Sequence, residues 1–441
     1  MFQHFVSGLL VFFLSVTFLY AKNSTPKQSR FKSNLKILLK DPGLKKYYRI
    51  KNKTLYVYST PNKKTKPEFI LHKKETKTFL SLFHNFTDEE ILSIYKNKGK
   101  EDFSKYIQQR IKLNKKHSFH IQAGKMPLKG LRVAIDPGHT AYSWEMARKE
   151  SRFIWTHDKK KEMKFYEADL TYQTARIVQY YLEKQGAQVF ISRKDPKSTV
   201  FNKTYEEWLK DDLKPTVDHE VKLGRLKKEE ADKILSGNDK ALTLDFFLKE
   251  AELRKRAELI NNFQPHITLI IHYNVGGRPN YPFKRTSPHM TYLTKDNYSL
   301  VFIPGAFQKE ELEDERDRLE FLRLALGRHI EKSIEFSAII EKHFIKDLKI
   351  PPIDRKTKVP YVVNSGIYAG KPGVYARNLK LTRLIHSPLC YTEVLLQNNY
   401  KEANALHKNN LKYAGVKTSK RVKQIAYSLY KGILEYYNKR N

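Results

Sequence analysis

The chain has 441 residues, enough to bury at least one full core. A hydrophobic share of 40% with 12% aromatics excludes a disordered polymer, and a single cysteine excludes a disulfide-stapled fold. The formal charge of +36 points to polyanions such as anionic lipid, acidic envelope polymer or nucleic acid, unless the lysines serve only as solvation.

Met1–Ala21 reads as an export signal. Phe5 to Leu19 is an almost unbroken apolar run, and Leu19-Tyr20-Ala21 offers a small residue at a cleavage point. His4 is the only basic side chain ahead of the run, and Leu19 is unusual three positions before a cut. An uncleaved anchor is therefore the alternative, although the run is short for a membrane crossing. Either way the expected location is the periplasm or cell envelope.

Residues 22–129 hold 27 Lys and Arg against 8 Asp and Glu. They read as a separate basic module of unspecified fold, with a flexible lead-in over residues 24–33. Apolar clusters at Leu55–Tyr58 and Phe79–Phe83 give it a core, Thr87 caps a helix beginning Asp88-Glu89-Glu90, and Pro127-Leu128-Lys129-Gly130 closes it.

From Leu131 strands and helices alternate. Strands are predicted at Leu131–Ile135, Gln188–Ser192, Ile267–Ile271, His289–Thr294 and Leu389–Leu396. Helices are predicted at Ala168–Lys184, ended by Gly186, and at Leu253–Phe263, Ser333–Leu348 and Val422–Tyr437. That order predicts an α/β fold, a mostly parallel twisted sheet with helices on both faces, preceded by the small basic module. The continuously apolar Ile267–Ile271 suits a buried parallel strand. A charged, mostly helical insertion near 195–250 and a second near 306–330 interrupt the rhythm. The second contains the acidic run Glu310-Glu311-Leu312-Glu313-Asp314-Glu315. The predicted division is thus 1–21, 22–129 and 130–441.

Ile135-Asp136-Pro137-Gly138-His139 carries the most chemistry. A strand enters a stiff Pro-Gly turn, and a histidine follows at the strand's carboxyl end, where ligands collect in open α/β sheets. His272 ends another strand and Glu167 opens the helix between them. Two imidazoles and one carboxylate leave a fourth position open, as catalytic zinc requires. Glu393, on the last strand, supplies the further carboxylate needed to move protons. His266 lies six residues before His272, about 20 Å away along the same strand face, so both cannot hold one ion. It is expected to be solvated, His289, His343 and His386 to be surface or satisfied core groups, and Cys390 to be a small core residue.

At these positions the chain resembles the zinc-dependent N-acetylmuramoyl-L-alanine amidases of the AmiC/CwlV type. Ile135–His139 matches their first histidine turn, Glu167-Ala168-Asp169-Leu170 their helix-opening glutamate, and Ile271-His272-Tyr273-Asn274 their second histidine. Thr392-Glu393-Val394-Leu395-Leu396-Gln397-Asn398 matches the catalytic-glutamate segment. Arg256, Asn261 and Gly432-Ile433 match further helix positions. The likeness covers Leu131 to Tyr437. Thr140, Tyr273 and Thr392 depart from the pattern, as does the lack of glycine and phenylalanine after Glu393.

The resemblance implies one zinc ion held by His139, Glu167 and His272, with Glu393 as catalytic acid-base. Asp136, Asn274 and Arg377 are assigned to bracing the site or touching substrate. The implied reaction cuts the amide between N-acetylmuramic acid and L-alanine in peptidoglycan, in wall remodelling or cell separation. The basic N-terminal region would meet an anionic membrane or envelope polymer. The 306–330 helix would cover the zinc until an activator protein removes it. Nucleic acid is not an expected partner. The alternatives are an inactive or occluded wall-binding scaffold of the same fold, and a polyanion-binding protein.

Overall fold

The computed structural model describes residues 26–61, 66–84, 86–96, 126–158, 161–277 and 291–439. The export-signal reading of residues 1–21 and the reading of His289 lie outside them. Among the described residues no helix is long and apolar enough to cross a membrane.

Residues 26–96 form a small cap. Helix α1 (Pro26–Leu38) precedes an antiparallel sheet of β1 (Tyr48–Lys51), β2 (Thr54–Val57) and β3 (Phe69–His72), followed by α2 (Thr76–Leu82) and α3 (Asp88–Lys96). Asn52 and Lys53 join β1 to β2 with φ of 49° and 60°, the twin left-handed geometry that suits a two-residue hairpin. The expected cap of α3 is present: Glu90 N–H donates to Thr87 Oγ1 at 3.2 Å, and Thr87 N–H donates to Glu90 Oε2 at 2.9 Å.

The body follows in chain order. β4 (Arg132–Pro137), α4 (Trp144–Lys149), the hairpin β5 (Phe153–Asp158) and β6 (Lys161–Tyr166), α5 (Glu167–Glu183) and β7 (Gln188–Ile191) come first. Four short helices, α6 (Tyr205–Asp211), α7 (Leu213–Lys222), α8 (Lys228–Leu235) and α9 (Lys240–Phe246), fill the first insertion and build their own cluster around Trp208 and Phe247. Then come α10 (Glu252–Phe263), β8 (Ile267–Asn274), β9 (Leu300–Pro304), α11 (Glu315–Leu326), α12 (His329–His343) and α13 (Pro360–Ser365). β10 (Gly366–Lys371), β11 (Val374–Arg377), α14 (Lys380–Leu384), β12 (Leu389–Leu396), α15 (Tyr400–Leu406) and α16 (Lys420–Asn438) complete it.

The central sheet has seven strands in the order β10-β11-β9-β12-β8-β4-β7. β12, β8, β4 and β7 run parallel, whereas β9 is antiparallel to β12. β8 is buried from Ile267 through Tyr273, as a central strand covered on both faces must be. Each such aliphatic side chain contributes roughly 1.5–3 kcal/mol of burial. Helices α5, α12 and α16 cover one face, and α10 and α14 the other. Gly432 lets α16 approach α12, since a Cβ there would come within 2.6 Å of Ile340 Cδ1.

Four expectations need correction. Residues 26–33 are helical rather than a flexible lead-in. The described part of the basic region does not keep a core of its own: Phe31, Leu38, Phe79 and Phe83 share one apolar cluster with Phe307, Phe321 and Phe336. The described part of the strand expected at His289–Thr294 makes only an isolated bridge, Thr294 to Asn399. The sheet instead gains β9, β10 and β11, which lack strict alternation or follow long helical stretches.

The fourth concerns the 306–330 segment. Tyr391 pairs with Phe302 and Glu393 with Leu300, so β9 leads away from Glu393 and delivers Phe307 to the opposite end of the sheet. There α11 packs against the cap. Asn34 Nδ2 donates to the carbonyls of Leu324, Ala325 and Gly327 at 3.0–3.1 Å, satisfying oxygens that a helix end leaves open. Arg318 pairs with Glu68. The segment therefore does not cover the His139 site. Strand direction, set by pairing distant in sequence, decides this.

Candidate metal centre and active site

β4 carries Asp136 and Pro137 to the carboxyl edge of the sheet, and the chain turns through Gly138 into His139. A Cβ on Gly138 would fall 2.2 Å from His272 Nε2, so only glycine lets the two segments approach. His139 has φ of 62°, an uncommon conformation for a residue with a Cβ. Arg256, buried on α10, holds the turn there. Its Nη1 donates to the Pro137 carbonyl at 2.8 Å and its Nη2 to the His139 carbonyl at 2.6 Å. Asp136 at 3.2 Å and Glu252 at 2.9 Å balance its charge. Burial works against that charge, but the two carboxylates outweigh it and leave the guanidinium more basic than usual. Asp136 thus shapes the turn through Arg256 and accepts a hydrogen bond from Ser192 Oγ.

The expected ligands converge. One ligand atom from each of His139, Glu167 and His272 lies within 4.8 Å of the others. Glu167 Oε2 is 3.3 Å from His139 Nε2, and its Oε1 is 3.1 Å from His272 Nδ1. The imidazole centroids are 4.7 Å apart with planes at 79°. Glu167 is the first residue of α5, where a helix's free N–H groups favour a carboxylate. Burial pushes its pKa up, but His139 and His272 outweigh that and hold it well below the carboxylate range. Burial lowers the pKa of His272, which keeps the imidazole neutral and able to donate a lone pair. Two imidazoles and a carboxylate fit a divalent ion of the zinc class.

Glu393 pairs with His272 in the β12–β8 register, so it stands beside the cluster on the neighbouring strand. Burial, reinforced by the charge of Glu167, raises its pKa well above the carboxylate range, and Arg377 and Arg152 oppose the rise. Arg377 also lies over the rings of Phe302 and Tyr361, at 5.3 and 5.0 Å. Asn274 Nδ2 donates to Tyr361 Oη at 2.6 Å, which ties α13 to the end of β8.

Three supporting residues were not predicted. Glu150 accepts from Thr140 N–H at 2.8 Å and Ala141 N–H at 3.3 Å, and its Oε2 is 3.8 Å from His139 Nδ1. Gln397 Nε2 donates to Glu167 Oε2 at 3.0 Å and to the Tyr273 carbonyl at 2.9 Å. Tyr391 stacks flat on His272, 4.5 Å between centroids and 7° between planes. Gln397 lies in the segment quoted for Glu393, and Tyr391 alternates with Glu393 on one strand face. Glu150 carries no signal, because it is one more polar residue at the end of the short helix α4.

The other singled-out residues lie elsewhere. His266 is half-buried rather than solvated, and its Nδ1 accepts from Arg132 N–H at 2.9 Å. His343 sits between Asp347 at 2.8 Å and Glu435 at 3.0 Å. His386 contacts the cap through the Phe83 carbonyl at 2.9 Å. Asn261 Nδ2 donates to the Leu384 carbonyl at 2.9 Å. Cys390 is fully buried, and burial pushes its thiol up.

The family model described as N-acetylmuramoyl-L-alanine amidase (Amidase_3) matches residues 133–434. No curated protein matches the chain. Among solved structures, the N-acetylmuramyl-L-alanine amidase Ami1 from Mycobacterium smegmatis is 14% identical with a TM-score of 0.38, covering 71% of this chain and 99% of its own. The CwlD amidase from Clostridioides difficile, solved in complex with the GerS lipoprotein, is 14% identical with a TM-score of 0.37, covering 70% and 99%. The catalytic domain of CwlV, an N-acetylmuramoyl-L-alanine amidase from Bacillus (Paenibacillus) polymyxa var. colistinus, is 14% identical with a TM-score of 0.36, covering 70% and 98%.

Proposed function

Because this chain belongs to the N-acetylmuramoyl-L-alanine amidase family, matched over residues 133–434, we propose that it is an exported zinc hydrolase of peptidoglycan. It cuts the amide between the lactyl group of N-acetylmuramic acid and the L-alanine of the stem peptide, in wall remodelling or cell separation. The observation that carries this reading is the convergence of His139, Glu167 and His272 within 4.8 Å, with Glu393 as the strand partner of His272.

His139, Glu167 and His272 would hold the zinc, which when bound acts as a Lewis acid and lowers the pKa of water. Glu393 then handles the protons. Its carboxylate takes one from the attacking water and returns it to the leaving alanine nitrogen. Burial raises its pKa well above the carboxylate range, so the carboxyl holds a proton more readily than an exposed glutamate does. Arg377 and Arg152 oppose that rise. Asn274 and Tyr361, joined by a hydrogen bond at the end of β8, would meet the substrate. In this reading Met1–Ala21 directs export, and the basic N-terminal region keeps the enzyme near anionic envelope polymer.

Digestion of peptidoglycan followed by mass analysis, with and without chelator, tests the assignment. Stem peptides beginning at L-alanine are expected, and chelator abolishes them. Glu393→Gln should retain fold and zinc while losing about 10²–10⁴-fold in cleavage rate. Full activity in that variant removes Glu393 from the mechanism.

A further inference from the structure

The cap carries two adjoining cavities at the end of the sheet remote from His139. One is a groove of about 590 Å³, floored by Phe31, Ile50, Leu55, Leu71, Leu80 and Leu326. Its rim is Arg30, Lys53, Lys73, Lys77 and Arg328, and none of its lining residues is acidic. The other, of about 530 Å³, is bordered by Asn52, Lys53, Thr54, His72, Lys73 and Lys74. Lys53, Thr54 and Lys73 line both, so the apolar floor leads into the cationic pocket.

The sequence arranges this locally. The Asn52-Lys53 turn puts Lys53 at the hairpin tip between the two cavities. β1 is an edge strand, and Ile50 on it is 49% exposed. Arg30 and Arg328 both reach Glu331, at 3.6 and 2.8 Å, so a single carboxylate answers two guanidinium groups there. An open apolar groove ringed by cations marks a binding surface rather than a solvated face.

We propose that the paired cavities bind one anionic lipid of a membrane surface. Its acyl chain lies along the apolar groove, and its phosphate headgroup sits among Lys53, Lys73 and Lys74. Charge and shape argue together. A free phosphate leaves the six apolar side chains in water, an uncharged lipid leaves Lys53 and Lys74 without an anion, and an acidic peptide satisfies only the rim. Chain length agrees: Leu19, the end of the apolar run, lies seven residues before Pro26, at most about 25 Å of extended chain. A bilayer that receives that run is within reach of the groove. The site does not depend on the amidase chemistry.

Full-length protein and its Ile50→Glu and Lys53→Glu variants, co-sedimented with vesicles of phosphatidylcholine with or without phosphatidylglycerol, provide the test. Titration with soluble dihexanoyl phosphatidylglycerol removes any contribution of the N-terminal run. The wild type should prefer phosphatidylglycerol in both formats. Each variant should bind about tenfold more weakly, with an unchanged melting temperature. Glycerol phosphate should compete poorly. Equal binding to pure phosphatidylcholine overturns the proposal. So does full lipid binding by Ile50→Glu, which reduces the site to surface charge. Tighter binding of polyglutamate than of lipid, with the same dependence on Ile50, overturns it in favour of an acidic protein partner.

Discussion

His139 occupies a backbone conformation that few side-chain-bearing residues adopt, and its neighbours explain why it persists. Arg256 grips the carbonyls of Pro137 and His139, so the strain is held by charge-assisted hydrogen bonds in a buried setting. Gly138 matters for a different reason, which is space. Gly138→Ala should push the His272 ring out of line and leave the purified protein with little zinc, checked by elemental analysis of a variant whose circular dichroism is unchanged. Glu150 acts one step further out, facing His139 Nδ1 at 3.8 Å while fixing the following turn. Glu150→Gln should weaken zinc binding by about 10–100-fold, measured by competition with a chelating dye. Unaltered affinity would show that Glu150 serves only the turn.

Elements position these residues through packing that spans the whole chain. α5 presents Glu167 at its first turn, the Arg152 carbonyl accepts the Glu167 N–H at 3.2 Å, and Gln397 from beyond β12 holds the carboxylate in place. At the other end of the sheet α11 closes onto α1. Asn34 is the latch, giving its amide to three carbonyls at the end of α11. Asn34→Ala should lower unfolding free energy by about 1–3 kcal/mol, because buried acceptors lose their donor. Urea unfolding should show a lower midpoint at unchanged slope. Cleavage of soluble muropeptides by the folded variant should match the parent, since the latch is remote from Glu393.

The molecule as a whole places its two chemistries at opposite ends of one sheet. The cluster of His139, Glu167 and His272 lies at the carboxyl ends of β4 and β8, and the basic cap covers the far end beside α11. Global stability should also report a buried acid. Glu341, fully buried, receives Ser299 Oγ–H at 2.5 Å, and burial raises its pKa to about 8. The folded state thus binds a proton that the unfolded chain has released above the ordinary glutamate pKa. Its stabilising share is full below about 4.5 and is lost as pH rises through about 8. Glu341→Gln keeps the shape and removes the titration. Its melting temperature should exceed that of the parent at pH 8 by on the order of 5 °C, with little difference at pH 4. An equal gain at both pH values would assign the effect to packing.

The residues themselves determined much of this protein. Strand-to-helix order, the apolar β8, the Pro-Gly turn before His139 and the carboxylates of Glu167 and Glu393 are local patterns, and the parallel part of the sheet, its main helices and the three residues that converge as a possible metal site were legible from them. What the tertiary structure decided depends on pairing between distant segments. β9 runs antiparallel to β12, which carries residues 306–330 away from the site that sequence position suggested they would cover. The apolar side chains of the basic region complete the core of the body, so a cluster that reads as a small core of its own becomes a shared one. Glu150 gains its role only because the chain folds back over His139. A hydrogen bond or an apolar contact is specified by where two segments meet, and no local periodicity encodes that meeting.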